Sequence, residues 1–146
     1  LIRAIVDRRV SEITAPLLLP EALEHPEDAL VAFGRSMLST VMLSRGVSML
    51  RMTVEAAAEH PDLARAFFEA GPATSRHRLA EFLQIETDNG RLAVDDPALA
   101  AEFFAGMVIG AHQISQLLGV FRQLDEAQID RVAREAAQRF MKAYSA

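Results

Sequence analysis

Residues 103–121 contain no Asp, Glu, Lys or Arg, and this uncharged run restricts the possible folds more than any other feature of the chain. Asp96-Pro97 precedes the run and provides a helix cap and a first-turn proline, while Gly119 marks its end. We therefore predict a helix over 97–118. One His, two Gln and one Ser interrupt the run within residues 112–116, which favours a buried helix over a membrane span.

Proline and glycine also divide the first half of the chain into helices. Pro16 and Pro20 are predicted to close a first helix, because proline donates no helix hydrogen bond and its ring strikes the preceding turn. His25-Pro26-Glu27-Asp28 opens a second helix that runs to about Leu43. We predict that Ser44-Arg45-Gly46 breaks this helix and that a third covers about 48–59.

The remaining helix boundaries follow from similar local signals. A fourth helix starts at His60-Pro61, is predicted to be interrupted by Gly71-Pro72, and continues over 74–88 to a left-handed cap at Asn89-Gly90. A capping box at Asp125, with Gln three residues later, predicts a last helix that ends at Tyr144. No strand pattern is found, so the sequence predicts an all-α bundle of about six helices within one domain.

Composition and motifs exclude several classes of function. Fifteen Lys and Arg stand against twenty Asp and Glu, so the net charge of −5 does not suggest a surface that binds nucleic acid by itself. The densest basic pieces, Arg8-Arg9 and Arg76-His77-Arg78, are interpreted as solvated helix surface. Cysteine is absent, and no metal-binding, phosphate-binding or nucleophile motif occurs. We expect a cytoplasmic protein that is not an enzyme and needs no metal or cofactor.

The apolar stripe of the first helix begins within the first few residues of the chain. Ile2, Ile5, Val6 and Val10 follow helical spacing, and no Ser, Thr, Asp or Asn precedes them as a cap. We therefore expect this helix to be truncated and a further segment to precede it. Residues 1–146 are then predicted to form one ligand-binding and dimerisation domain.

The helix over 97–118 has apolar or small residues nearly all round, which predicts burial on more than one side. A domain of this size has little room to bury it alone, so we predict a homodimer in which the last two helices of each subunit form a four-helix bundle. The alternative is the central helix of a monomer. The predicted interface residues are Glu102, Gly106, Ile109, Gly110, Gln113, Leu117, Ile129, Val132, Ala136 and Phe140.

A cluster of methionines indicates a cavity for small molecules. Four of the six Met residues fall within sixteen positions on the second and third helices, and Met adapts to apolar ligands of varied shape. Core filling is the alternative for each of them. His112 is the titratable group in the middle of an apolar helix, where it could orient a ligand or simply bond to a neighbour. The predicted ligand-binding residues are Phe33, Met37, Met49, Met52, Phe82, Phe103, Met107 and His112.

Three segments carry a resemblance to a known family. Residues 1–9, Leu-Ile-Arg-Ala-Ile-Val-Asp-Arg-Arg, resemble the helix that follows the helix-turn-helix in TetR/AcrR-type repressors. His60-Pro61-Asp62-Leu63-Ala64-Arg65-Ala66-Phe67-Phe68-Glu69-Ala70-Gly71-Pro72 is similar to a stretch in the AefR-like branch of their C-terminal domains, and residues 92–106 resemble the start of their dimerisation helix. The chain departs from the family pattern because it contains no helix-turn-helix.

The resemblance implies a homodimer whose helices enclose a pocket for a small hydrophobic effector. It also implies a helix-turn-helix domain, missing from this chain, that binds operator DNA and releases it when the effector changes the spacing of the two DNA-reading heads. Two other hypotheses stay open: a stand-alone helical carrier or enzyme, and a purely structural dimerisation module. The structural module would have no internal cavity.

Overall fold

The structure, a computed structural model, describes residues 1–19, 24–42, 44–120 and 123–146, with only the backbone for 44–46. Its α-helices are α1 (Ile2–Thr14), α2 (Pro26–Met42), α3 (Ser44–Ala56), α4 (Pro61–Phe68), α5 (Thr74–Asp88), α6 (Pro97–Leu117) and α7 (Glu126–Tyr144). A π-helical segment over Glu69–Ala73 joins α4 to α5, so these form one continuous helix and the described residues hold six in all. The predicted all-α class is confirmed.

The ends of the helices follow from local chemistry. The Asp96 side chain accepts a hydrogen bond from the Leu99 N–H at 3.1 Å, which caps α6. The Asp125 side chain accepts from the Gln128 N–H at 2.8 Å and the Gln128 side chain accepts from the Asp125 N–H at 2.9 Å, so the predicted capping box forms. Gly90 has a φ of 78°, the left-handed conformation predicted for the end of α5.

The predicted interruption at Gly71-Pro72 is a π-helical segment between α4 and α5, and α5 covers the predicted residues 74–88. The widened π turn moves the proline ring away from the carbonyl that it would strike in an α-helix. Another predicted break is wrong. Ser44-Arg45-Gly46 does not break the second helix but forms the first turn of α3, where a glycine costs only about 1 kcal/mol. Pro20 and Leu43, also predicted as boundary residues, lie outside the described residues.

The core forms where α2 packs along α6 and α7. The Phe104 ring lies 6.1 Å from the Phe33 ring and 5.5 Å from the Phe140 ring, centroid to centroid, and meets Phe140 edge to face. Gly34 lets α2 approach α7 closely, since a Cβ at this position would lie 3.4 Å from the Cβ of Ala133. This stack leaves α1, α3, α4 and α5 to enclose space on the other side of α2 and α6.

Glu86 is a fully buried carboxylate near the end of α5. Neither of its oxygens has a hydrogen-bond partner among the described residues, and the Arg91 Nη1 lies 3.6 Å from its Oε1. Burial raises the pKa of Glu86 above its ordinary value, and the positive charge of Arg91 offsets only part of this increase. The carboxylate form is therefore less favourable in the folded protein than in the unfolded chain.

We expect Glu86→Gln to make the protein more stable at pH 7. Because the folded pKa is raised, the wild-type protein loses stability as the pH rises from the ordinary value of 4.5 through the folded value. The glutamine variant lacks this loss, so its advantage should appear over the same interval and disappear below it. Thermal denaturation from pH 4 to 8 measures the effect, with the exposed Glu55→Gln as control. Equal pH dependence in the wild-type protein and Glu86→Gln would contradict the prediction.

Candidate functional site

A cavity of about 140 Å³ lies between α1, α5 and the π segment on one side and α2, α3 and α6 on the other. Its size is close to that of an engineered apolar cavity of about 150 Å³ that binds benzene. Most of its lining is apolar. The residues that line it are Val6, Arg9, Val10, Ile13, Phe33, Met37, Thr40, Val41, Met49, Leu50, Phe67, Gly71, Pro72, Ser75, Arg76, Leu79, Ala105, Ile109 and Gln113.

Helix α1 forms one wall of the cavity. Val6 and Val10 are buried there, and the Val6 side chain lies against Gly71, where an added Cβ would come within 3.3 Å of it. The Arg78 Nη1 on α5 donates a hydrogen bond of 2.8 Å to the Thr14 hydroxyl, which itself donates to the Val10 carbonyl. These contacts hold α1 against α5 and the π segment, and so fix this wall of the cavity.

The π segment lies at the cavity wall, to which Gly71 and Pro72 contribute. Single π turns inside longer helices are often found at functional sites. The Thr74 hydroxyl donates a hydrogen bond of 2.7 Å to the Glu69 carbonyl, five residues earlier, which satisfies a carbonyl of the widened turn. A Gly-Pro pair in the middle of a helical pattern was therefore a signal of the site as well as of the boundary that we predicted.

Three of the eight predicted ligand-binding residues line the cavity: Phe33 and Met37 on α2 and Met49 on α3. Met52 does not, because α3 directs Met49 and Leu50 inward and leaves the Met52 side chain 65% exposed. Phe82 is buried in the core outside the cavity lining.

The other three predicted ligand-binding residues lie on the outside of α6. Phe103 is exposed, while Met107 and His112 line a surface groove between α6 and α7. The helix directs Ala105 and Ile109 into the cavity instead. Residues two positions apart point in nearly opposite directions around an α-helix, so one orientation of α6 explains the placement of Phe103 and Met107. His112 lies at the edge of the inner side and lines the groove instead of the cavity.

Arg9 and Arg76 are lining residues that the sequence interpretation missed. Both were assigned to solvated basic clusters, but only their neighbours fit that assignment: Arg8 pairs with Glu12 at 3.1 Å, and His77 pairs with Glu81. The available signal was spacing, because Arg9 follows Val6 by three positions and precedes Ile13 by four, on the apolar stripe of α1.

The predicted interface residues are divided between four environments. Glu102 and Gly106 are exposed on α6, and Gly110 is half-buried beside them, with open space where a Cβ of either glycine would lie. Ile109 and Gln113 line the cavity instead, because they share the inner side of α6 with Ala105. Ala136 and Phe140 are buried in the protomer core, where α7 packs on α2. Leu117, Ile129 and Val132 are half-buried.

An apolar surface runs along the outside of α6, and we call it the outer face of α6. Its large exposed side chains recur every four or seven positions, which places them on one side of the helix. Leu118, at its end, is 71% exposed. By length and composition α6 could cross a membrane, a test that core helices of water-soluble proteins also pass. The outer face consists of Leu99, Phe103, Gly106, Met107, Gly110, Ile114 and Leu118.

Comparison with known proteins identifies the family. The sequence profile described as "AefR-like transcriptional repressor, C-terminal domain" matches residues 28–146. The chain belongs to this family. The resemblance seen in the sequence is therefore confirmed, and it assigns the domain to the TetR-type transcriptional regulators. No curated protein matches the chain.

Two solved structures of TetR-type regulators are similar over 99% of this AefR-like domain. A TetR-family transcriptional regulator from Mesorhizobium loti MAFF303099 has a TM-score of 0.84 at 21% identity, and the match covers 70% of that chain. The flavonoid-responsive regulator FrrA has a TM-score of 0.81 at 28% identity, with 73% of its chain covered. Both alignments include α1, which the family profile leaves out, so α1 belongs to the shared fold.

Proposed function

We propose that this AefR-like domain binds a small, mostly apolar effector in its cavity and, as a homodimer, controls the binding of operator DNA by a preceding helix-turn-helix domain. The protein would act as a cytoplasmic transcriptional repressor. The observation that carries this proposal is the apolar cavity, lined by residues of α1 to α6 and of the π segment. Small-molecule sites have this character, with apolar walls and a few polar groups.

The walls of the cavity suit an effector of adaptable shape. Met37 and Met49 contribute flexible thioethers, and Phe33 and Phe67 contribute aromatic rings. FrrA, which shares this fold, is described as flavonoid-responsive, so one regulator of similar structure responds to an aromatic small molecule. This neighbour supports effector binding as the role of the fold, while the identity of the effector here depends on the side chains of this cavity.

Helix α1 provides a physical route from the cavity to DNA. Four of its residues, Val6, Arg9, Val10 and Ile13, line the cavity, so an effector that fills the cavity also touches α1. A ligand shifts an equilibrium only if it binds the two states with different affinity. An effector that favours one position of α1 would therefore favour one spacing of the DNA-reading domains, which the family resemblance attaches to this helix.

The outer face of α6 supports a homodimer. Monomeric proteins rarely expose a long apolar stripe such as this, and a partner would remove it from water. Gly106 and Gly110 lie on it with open space above them, so a second helix can approach closely. The groove between α6 and α7 adjoins this face and adds charged rim residues, including Arg131 and Arg139.

A purely structural dimerisation module is less well supported, because it has no use for the cavity. A carrier function would not explain why the domain belongs to a family of transcriptional regulators. Among the described residues, no group of three or more His, Cys, Asp or Glu is placed to hold a metal ion. We therefore retain effector-controlled DNA binding as the proposed function, and we invoke no catalytic step.

Met49→Trp is expected to abolish stabilisation of the domain by apolar effectors. The larger side chain would occupy a cavity of only about 140 Å³, leaving no room for a ligand. The measurement is a thermal-shift screen with small hydrophobic compounds, since a ligand at 100 times its Kd adds about 2.7 kcal/mol to stability. Met52→Trp is the matched control, because Met52 is on the same helix and exposed to solvent.

The two variants distinguish binding in the cavity from binding elsewhere. Loss of stabilisation in Met49→Trp with retention in Met52→Trp is the expected result. Compounds that stabilise both variants equally would place the ligand outside the cavity. If the screen stabilises none of the proteins, effector sensing by this cavity is refuted.

A further inference from the structure

We propose that the effector is a small carboxylic acid with an apolar body about the size of one aromatic ring, and that Arg9 and Arg76 bind its carboxylate. This inference rests on the proposed function and deepens it, because it assigns a chemical class to the occupant of the same cavity. It depends on the charges of the lining, on the partners of the two guanidinium groups and on the size of the cavity.

The cavity is positively charged although the chain as a whole is not. Arg9 and Arg76 are its only charged lining residues among those that the structure describes, and no Asp or Glu lines it. The whole chain carries a net charge of −5. A positive lining within an acidic protein attracts anions and repels amines. The ligand should therefore carry a negative charge.

Neither guanidinium group has a carboxylate partner within 4.0 Å in the described part of the chain. The Arg9 Nη1 instead lies 3.9 Å from the Met49 sulfur, a weak acceptor. Other arginines of this domain do find acids, as Arg35 does with Asp130 at 3.1 Å. Arg9 and Arg76 are both partly buried at the cavity, so a bound carboxylate can accept charge-assisted hydrogen bonds from their guanidinium groups.

Neutral donors complete a site for one carboxylate. The hydroxyls of Thr40 and Ser75 and the amide of Gln113 line the same cavity. The charged neighbours of Arg76 along α5 are engaged elsewhere: His77 pairs with Glu81, and Arg78 donates to Thr14. The polar groups that the cavity offers to a ligand are therefore these three and the two arginines, and the remaining walls are apolar.

The volume of the cavity limits the size of the apolar part of the acid. A cavity of about 140 Å³ is comparable to one of about 150 Å³ that admits benzene, so a single ring or a short branched chain fills it. Benzoate and phenylacetate have this form. Since Arg9 is on α1 and Arg76 is on α5, one carboxylate bound to both would tie α1 to the body of the domain.

The test compares acids with neutral molecules of the same shape. Binding of benzoate, phenylacetate, benzamide and phenylacetamide is measured by calorimetry at pH 7, with the wild-type domain and the variants Arg9→Gln, Arg76→Gln and Arg9→Lys. Arg8→Gln is the matched control, because Arg8 is exposed next to Arg9 and pairs with Glu12. Circular dichroism establishes that each variant is folded.

We expect the acids to bind at least about tenfold more tightly than the amides, since hydrogen bonds to charged groups contribute more than neutral ones. Arg9→Gln and Arg76→Gln should each weaken the acids by about tenfold and leave the amides unchanged. Arg9→Lys should recover part of the acid affinity, and Arg8→Gln should bind as the wild type does.

Failure of this inference is distinguishable from failure of the proposed function. If neutral compounds bind in the cavity and are blocked by Met49→Trp, but acids bind no better, the charge assignment is overturned and effector sensing stands. Acid binding that is unaffected by both glutamine variants also overturns the assignment. If neither acids nor amides nor any compound of the apolar screen binds, both proposals are refuted together.

Discussion

Phe104→Ala is expected to lower the free energy of unfolding by about 3–5 kcal/mol, the usual cost of removing a buried phenylalanine. Phe104 is completely buried and its ring contacts those of Phe33 and Phe140, so the lost contacts and the cavity left behind both contribute. Small domains have a total stability of about 5–15 kcal/mol, which makes this a large fraction of the whole. Urea denaturation followed by circular dichroism measures the change.

Phe68→Ala is the matched control for this experiment. Phe68 is 50% exposed at the end of α4 and does not line the cavity, so its replacement should change stability by no more than about 0.5 kcal/mol. If Phe104→Ala does not fold, Phe104→Leu provides a milder change in the same direction. Equal effects of Phe104→Ala and Phe68→Ala would show that the Phe104 stack does not form the core.

Gly106→Leu is expected to weaken the proposed homodimer by about tenfold or more while leaving the protomer folded. A Cβ at Gly106 meets no atom within 4 Å among the described residues, so the protomer accommodates the larger side chain. In the proposed dimer, the same side chain would hold the partner helix away, and overpacking of this kind costs about 1–3 kcal/mol. Sedimentation velocity over a range of concentrations measures the shift from dimer to monomer.

Ala66→Leu is the control for dimerisation, because it adds the same side chain to an exposed position on α4, away from the outer face of α6. It should sediment as the wild type does. Circular dichroism should show unchanged helix content in both variants, since leucine favours a helix more than glycine does. An unaltered dimer in Gly106→Leu would contradict the proposed interface at this position.

The positions of the helices could largely be predicted from sequence because their ends depend on neighbouring residues. Asp96 caps α6 and Asp125 caps α7 through bonds that span only three positions. Gly71-Pro72 interrupts the α-helix as predicted, but the local sequence did not show that the interruption is a π turn. A π turn depends on packing as well as on local preference, because the close contact of Gly71 with Val6 joins residues 65 positions apart.

The direction in which α6 faces could not be predicted. Its residues are apolar or small nearly all round, so hydrophobic periodicity does not distinguish the inner side from the outer side. Phe103 and Met107 were accordingly assigned to the cavity, and Ile109 and Gln113 to the interface. In the structure the first pair is exposed and the second pair lines the cavity. Which side faces inward depends on contacts with α2 and α5, which are distant in sequence.

The polar residues of the cavity could not be predicted from the sequence either, because their position also depends on contacts between distant helices. Arg9 and Arg76 each have a basic neighbour that is exposed, so the local charge pattern described a solvated surface. Only the folded chain brings α1 and α5 together and places both arginines at one cavity. Phe33, Met37 and Met49 were easier to anticipate, because they lie on successive helices whose apolar stripes must face the interior.

The π turn also sets the rotational phase between the two halves of the helix that contains it. In an uninterrupted α-helix each residue advances by about 100°, so Arg76, nine positions after Phe67, would project from the opposite side. The widened turn contains one extra residue. Every residue after it is therefore rotated back around the helix axis by about the 100° that one residue contributes. Phe67, Arg76 and Leu79 can thus all reach the cavity. Deleting a single residue within Glu69–Ala73 would rotate the whole of α5 and carry Arg76 away from the cavity.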